Sequence, residues 1–300
     1  MTDLVIVGAG PAGLTAALYA SRAGASVIVL DGGAPGGKLN LTAEVENYPG
    51  TIQKGPELAY SMYEQCLSFG ATYEYGLVNR IEDKGDTKVV YTDDKEYECK
   101  YVFIATGTKE RHMNIPNEEE MSGRGVSYCA VCDGPFFKGK TVCVVGGGNS
   151  AIEEAIYLSD LVKEVHVVVR RDVLRAERHL VSKLETKDNI HMHYLKKPNA
   201  VEVTDNKVSG LIVEDSHTQE LSTIKTDGIF PFVGLDPVSE FVKDLGILNE
   251  HGYILVDEHQ ETKVTGIFAG GDICEKHLRQ IVTAANDGAI AGQYIASLIK

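Results

Sequence analysis

Cys129-Ala130-Val131-Cys132-Asp133 places two thiols three residues apart with a carboxylate beside the second. That spacing brings two sulfurs within reach of a disulfide and lets one thiol ionise more easily, so the pair can exchange electrons with another disulfide. The same spacing is also half of a tetrahedral zinc site, which would need two further ligands. Cys66, Cys99, Cys143 and Cys274 stand singly, and none pairs with a histidine at zinc-finger spacing. Metal is therefore the weaker reading, and no metal ligands are expected. The four isolated cysteines read as small buried hydrophobes.

Two further constellations flank the dithiol. Leu4 to Val7 is an apolar run of strand length, followed by Gly8-Ala9-Gly10-Pro11-Ala12-Gly13 and a helix-forming stretch from Leu14 to Arg22. Strand, glycine turn and helix let backbone approach a pyrophosphate closely and rest its charge at the helix N-terminus. The next apolar run, Ser26 to Leu30, ends in Asp31, where a carboxylate can bond both ribose hydroxyls. From Thr141 the device recurs: Val142 to Val145 leads to Gly146-Gly147-Gly148-Asn149-Ser150-Ala151 and a helix from Ile152 to Leu161. Ala151 stands at the third glycine position. The position matching Asp31 is Val169, and Arg170 and Arg171 follow, with Arg175 nearby. A carboxylate there would repel a 2′-phosphate, whereas guanidinium groups bind it, so the second site is expected to prefer NADP(H).

These elements need sheets to hold them. A chain of 300 residues, 43% hydrophobic and 24% charged, has length for two domains with separate cores. Val102 to Gly107 reads as the strand closing the first excursion and Ile229 to Gly234 as the one closing the second. Gly266 to Asp272 is one more strand and turn before a helix from Gln280 to Leu298. If that unit returns to the first sheet, the second domain is an insertion spanning residues 113–236. The net charge of −14 disfavours a nucleic-acid partner. The apolar stretch after Met1 is too short for a signal or membrane segment, so a cytoplasmic protein without a membrane partner is expected. In a reducing compartment the close cysteine pair reads as catalytic.

With these segments assembled, the sequence closely resembles the low-molecular-weight thioredoxin reductases, flavoproteins with two dinucleotide-binding domains. GAGPAG at 8–13, ENYPG at 46–50, ATG at 105–107, CAVCDG at 129–134, GGGNSA at 146–151, RRDVLRAE at 170–177, GIFAGGD at 266–272 and LRQIVTAANDGAIA at 278–291 carry the resemblance over nearly the whole chain. It implies an α/β fold of two Rossmann-like domains: an FAD-binding domain of residues 1–112 and 237–300, and an inserted NADPH-binding domain, 113–236, bearing the dithiol. It implies a homodimer in which NADPH reduces FAD, FAD reduces the Cys129–Cys132 disulfide, and the dithiol reduces thioredoxin. By the same resemblance Cys132 faces the flavin, Cys129 attacks the protein substrate, and Asp133 is the acid that protonates a leaving thiolate. The bland alternative for Asp133 is a helix cap. Around FAD the resemblance places Gly36, Gly37, Lys38, Asn47, Thr106, Gly107, Asp272, Arg279, Gln280 and Ile281, beside the first glycine turn and Asp31.

Two departures stand out. The family commonly has glutamine where Lys38 follows Gly36-Gly37, so a cation is placed near the isoalloxazine or else points to solvent. It commonly has histidine where Val169 stands, which removes one adenosine-phosphate contact. The rival readings are a reductase of a peroxiredoxin or glutaredoxin-like protein, a ferredoxin- or flavin-dependent reductase, and a non-enzymatic redox flavoprotein. The arginines argue against loss of the pyridine nucleotide.

Overall fold

Leu4 and Ile6 are buried in one hydrophobic cluster and Val5 and Val7 in another. A strand covered on both faces needs no polar alternation, which is why this run reads as continuously apolar. The computed structural model describes residues 1–42 and 44–299. Positions 43 and 300, both within the span expected for the first domain, lie outside the described residues. The chain divides into two compact units, residues 1–109 with 236–300, and residues 110–235.

In the first unit, β1 (Thr2–Val7) is followed by α1 (Pro11–Arg22) and β2 (Val27–Asp31). After α2 (Gly55–Ser68) and β3 (Thr72–Tyr75), the chain runs through β4 (Val78–Asp83), β5 (Lys88–Thr92) and β6 (Glu96–Ile104). The strands lie in the order β3-β2-β1-β6-β5-β4. Pairing is parallel from β3 to β6 and antiparallel among β6, β5 and β4. The chain leaves this unit along β7 (Thr108–Glu110).

The second unit opens with α3 (Ala130–Asp133), one helical turn, then β8 (Thr141–Val145), α4 (Asn149–Ser159) and β9 (Glu164–Val169). After α5 (Arg178–Leu184) and β10 (Ile190–Tyr194), the strands β11 (Lys196–Thr204), β12 (Lys207–Asp215) and β13 (Leu221–Lys225) form an antiparallel sheet. β14 (Gly228–Pro231) then completes a parallel sheet ordered β10-β9-β8-β14. Val142 and Val144 of β8 pack with the α4 side of this sheet, while Cys143 and Val145 pack with Leu211 and Val213 of the antiparallel sheet.

The chain returns along β15 (Leu235–Pro237), which pairs with β7. β16 (Ile267–Ala269) joins β6 in parallel, so the last strand does belong to the first sheet. α6 (Ile281–Leu298) follows and packs on α1. Gln280, expected inside that helix, caps it instead, in a reciprocal pairing with Thr283.

Candidate functional site

The first glycine turn separates glycines that the chain itself requires from one that it does not. Gly8 has φ +106°, and a Cβ on Gly13 would lie 1.9 Å from the Gly8 carbonyl oxygen. Gly10 is different. Its φ of −76° suits any residue, and a Cβ there would meet nothing within 4 Å. No side chain caps α1 at Gly10, so no side chain takes the first-turn amides after Pro11, the geometry that receives a pyrophosphate. Asp31 Oδ2 accepts the Ala9 N–H at 2.7 Å and Oδ1 the Gly33 N–H at 2.8 Å, which fixes the carboxylate at the end of β2 against the turn.

The other residues expected at this site fall in several segments of the same unit. A Cβ on Gly37, the residue after Gly36, would lie 3.3 Å from Gly10 Cα. Lys38 is half-buried, and its charge pulls on the Asp272 carboxyl, which burial pushes above the ordinary carboxylate range. Asn47 Nδ2 donates to Gln280 Oε1 at 3.0 Å, next to Ile281 at the start of α6. Thr106 Oγ1 donates to the Val238 carbonyl at 2.8 Å, and the Gly107 carbonyl accepts the Val238 N–H at 3.1 Å. Arg279 donates to the Asp272 and Cys274 carbonyls, each at 3.4 Å, and its guanidinium lies 4.4 Å from the Tyr253 ring centroid. FAD fits this surface: an open cradle at Gly10, a carboxylate beyond it, and two more segments folded onto the same turn.

The second turn repeats the geometry in the other unit. Gly146 has φ +149°, whereas a Cβ on Gly148 would meet nothing within 4 Å. Gly148 caps α4 without a side-chain bond, again leaving open amides where Asn149, exposed Ser150 and buried Ala151 begin the helix. Val169 is buried, with Cγ1 2.9 Å from a Cβ built on Gly147, so it packs beneath the turn where an acid or histidine would meet a ribose. Arg170, Arg171 and Arg175 are exposed, and the Arg175 N–H donates to the Gly147 carbonyl at 2.7 Å. The arginine side chains this loop exposes beside the turn are positively charged, as a dinucleotide carrying a 2′-phosphate would require.

Asn149 does more than line the turn. Its Nδ2 donates to Glu177 Oε1 and its Oδ1 accepts the Glu177 N–H, both at 2.9 Å. Glu177, to which sequence reasoning gave no role, therefore closes the far end of the arginine loop.

Cys129 and Cys132 are joined in a disulfide with Cα atoms 5.3 Å apart. Cys129 precedes α3, and its Sγ accepts the Cys132 N–H at 3.1 Å. Asp133 makes no capping bond for the turn that follows; its Oδ2 instead accepts the Ser127 hydroxyl at 2.6 Å. Upstream, Glu118, 2% exposed, accepts the Met113 N–H and the Tyr128 hydroxyl, each at 2.8 Å. Ser127 and Glu118 were missed by sequence reasoning because no spacing marks them. The remaining cysteines are buried. Burial pushes the Cys66 thiol up to about 11, and those of Cys99, Cys143 and Cys274 to about 12, which leaves them inert.

Residues 2–288 match the family model described as pyridine nucleotide-disulphide oxidoreductase. The chain is 46% identical to a thioredoxin reductase of Bacillus subtilis (strain 168), over 99% of this chain and 95% of that protein. The crystal structure of Lactococcus lactis thioredoxin reductase aligns with a TM-score of 0.98 at 44% identity, covering 100% of this chain and 99% of that one. That of the T. acidophilum thioredoxin reductase gives 0.95 at 38% identity, covering 99% and 98%. Among the described residues, no helix is long and apolar enough to cross a membrane.

Proposed function

The chain belongs to the pyridine nucleotide-disulphide oxidoreductase family, and from that premise we propose that it is an NADPH-dependent thioredoxin-disulfide reductase, acting as a cytoplasmic homodimer. The observation that carries this reading is the Cys129–Cys132 disulfide in the same unit as a glycine turn followed by arginines. Residues 1–109 with 236–300 hold FAD: the amides after Gly10 take the pyrophosphate, Asp31 the ribose, and Lys38, Asp272 and the start of α6 the remainder. Residues 110–235 hold NADPH, with its pyrophosphate at Gly148 and its 2′-phosphate on Arg170, Arg171 and Arg175. When bound, FAD supplies a two-electron relay between a nicotinamide hydride and a disulfide.

The chain's own chemistry is thiol exchange. Once the disulfide is reduced, the Cys129 thiol loses its proton to the Asp133 carboxylate and the sulfur attacks the thioredoxin disulfide. One S–S bond breaks as another forms, and Asp133 returns the proton to the departing sulfur. Cys132 then attacks Cys129, releasing reduced thioredoxin and restoring the internal disulfide. NADPH oxidation at 340 nm, followed with one oxidised protein at a time, tests the reading. Turnover with thioredoxin is expected. Turnover confined to a glutaredoxin-like protein or peroxiredoxin would overturn it.

A further inference from the structure

Ser127 is 6% exposed and is fixed from behind, its N–H donating to the Ile229 carbonyl of β14 at 2.9 Å. Its hydroxyl has three partners. Oγ accepts the Cys129 N–H at 3.2 Å, and its single proton lies within reach of both Asp133 Oδ2 at 2.6 Å and the Cys129 carbonyl at 3.3 Å. A hydroxyl can donate only one proton but can accept two. When Asp133 is ionised, the Ser127 proton belongs on Oδ2, a charge-assisted bond. When Asp133 carries a proton, that proton can be donated to Ser127 Oγ, and the hydroxyl turns its own to the Cys129 carbonyl. Neither state leaves a buried polar atom without a partner.

We propose that Ser127 is the positioning residue of the dithiol acid, a two-state hydrogen-bond partner that holds the Asp133 carboxyl beside the Cys129 main chain through both halves of its proton cycle. The inference rests on the reading of Asp133 as the acid. Ser127 neither gains nor loses a proton in the cycle. One proton moves from the Cys129 thiol to Asp133 and then to the leaving thiolate, and only the direction of the Ser127 O–H changes. Because Ser127 also holds the Cys129 N–H, acid and nucleophile share one anchor on β14.

A leaving thiolate needs an acid only when it is strongly basic, which supplies the test. The protein is reduced with dithiothreitol, desalted, and mixed with an aliphatic disulfide, 2-hydroxyethyl disulfide, or an aromatic one, dithiobis(nitrobenzoate), whose thiolate leaves unaided. The other thiols are buried and do not compete. Ionisation of the Cys129 thiol is a fast equilibrium common to both substrates, so the two differ only in the proton returned to the leaving sulfur: Ser127→Ala is expected to slow exchange with the aliphatic disulfide about tenfold, the scale of one hydrogen bond to a charged group, and to slow the aromatic one far less. Ser127→Thr should restore the aliphatic rate. Asp133→Asn should show the same aliphatic defect, and adding Ser127→Ala to it should cost no more with the aliphatic disulfide than with the aromatic one, since the part of the loss specific to a basic leaving group runs through Asp133. Equal slowing with both disulfides by Ser127→Ala, or a further loss in the double variant confined to the aliphatic one, would overturn the inference. If Asp133→Asn is slow with the aliphatic disulfide while Ser127→Ala is normal, the inference alone fails. If Asp133→Asn exchanges normally, the acid assignment fails and takes the inference with it. Neither readout requires NADPH or thioredoxin, so they stand apart from the test of the proposed function.

Discussion

Asn149 and Glu177 are tied by two hydrogen bonds of 2.9 Å, side-chain amide to carboxylate and main-chain N–H to amide oxygen. Asn149 begins α4 at the second glycine turn, and Glu177 precedes α5. The pair therefore staples the loop carrying Arg170, Arg171 and Arg175 to the point where a pyrophosphate would rest. The loop is also held by the Arg175 N–H on the Gly147 carbonyl and by the Leu195 N–H on the Arg171 carbonyl at 3.2 Å.

Replacing Arg170 and Arg171 together with alanine is expected to raise KM for NADPH by about 10- to 100-fold, as losing hydrogen bonds to a charged phosphate should, and to leave KM for NADH nearly unchanged. Asn149→Ala keeps the arginines but frees the loop, so the loss for NADPH should be smaller, about 3- to 10-fold. Steady-state kinetics with both nucleotides decides: equal losses for NADPH and NADH would remove the 2′-phosphate assignment.

The glycines of the first turn predict two different failures. Gly10→Ala fills space that the chain leaves open at a φ alanine accepts, so the variant should fold with unchanged or slightly raised stability, by about 0.4–1 kcal/mol, yet purify without FAD. Gly13→Ala drives a methyl into the Gly8 carbonyl and should lose soluble folded protein. Absorbance at 450 nm beside circular dichroism separates the two. A yellow Gly10→Ala protein would show that the cradle is not where the pyrophosphate lies.

The parallel strands β1, β2, β8 and β9 were legible because each is buried on both faces and runs into a glycine turn or a charged end. The β4–β5 hairpin and the β11–β13 sheet were not. Lys88-Val89-Val90-Tyr91-Thr92 and Lys207 to Asp215 mix polar and apolar residues, and their partners lie in neighbouring antiparallel strands rather than in a motif. The site divides similarly. Gly8, Gly13, Cys129 and Cys132 announce themselves because backbone geometry or sulfur chemistry permits few substitutes. Ser127 and Glu177 act on partners 6 and 28 residues away, and a serine or glutamate carries no mark of that in the sequence.

Glu154 on α4 has a buried Oε2 without a hydrogen-bond partner among the described residues. Burial, with Glu153 adding repulsion, raises its carboxyl from 4.5 to about 7. In the unfolded chain it titrates near 4.5, so below that pH it is protonated in both states and costs nothing. Between 4.5 and 7 folding must take up a proton, and the cost grows with pH. Above 7 the cost is complete, up to ~3 kcal/mol. Stability should therefore fall from pH 4.5 to 7 by this contribution and then level. Glu154→Gln should remove it: the urea midpoint of the variant, compared with wild type at pH 5 and pH 8, should gain at the higher pH. An unchanged difference between the two pH values would mean that Glu154 ionises in the folded chain as it does in water.

The division of labour between the two sulfurs is the sharpest expectation. Cys132 is exposed and Cys129 half-buried, so access alone would favour Cys132 as the attacker of thioredoxin. The surroundings of the sulfurs favour Cys129. Its Sγ already accepts the Cys132 N–H, a bond that strengthens when the sulfur becomes a thiolate and so favours ionisation there. Asp133 and Ser127 also lie beside its main chain. With Cys132→Ser, Cys129 should attack oxidised thioredoxin and remain in a stable mixed disulfide, since no second thiol is present to resolve it. With Cys129→Ser, little mixed disulfide should form, and neither variant should turn over thioredoxin. Non-reducing electrophoresis after mixing each reduced variant with oxidised thioredoxin reads the outcome directly. A mixed disulfide that accumulates on Cys132 in the Cys129→Ser protein, and not on Cys129 in the other, would show that exposure outweighs thiolate stabilisation and would reverse the two roles.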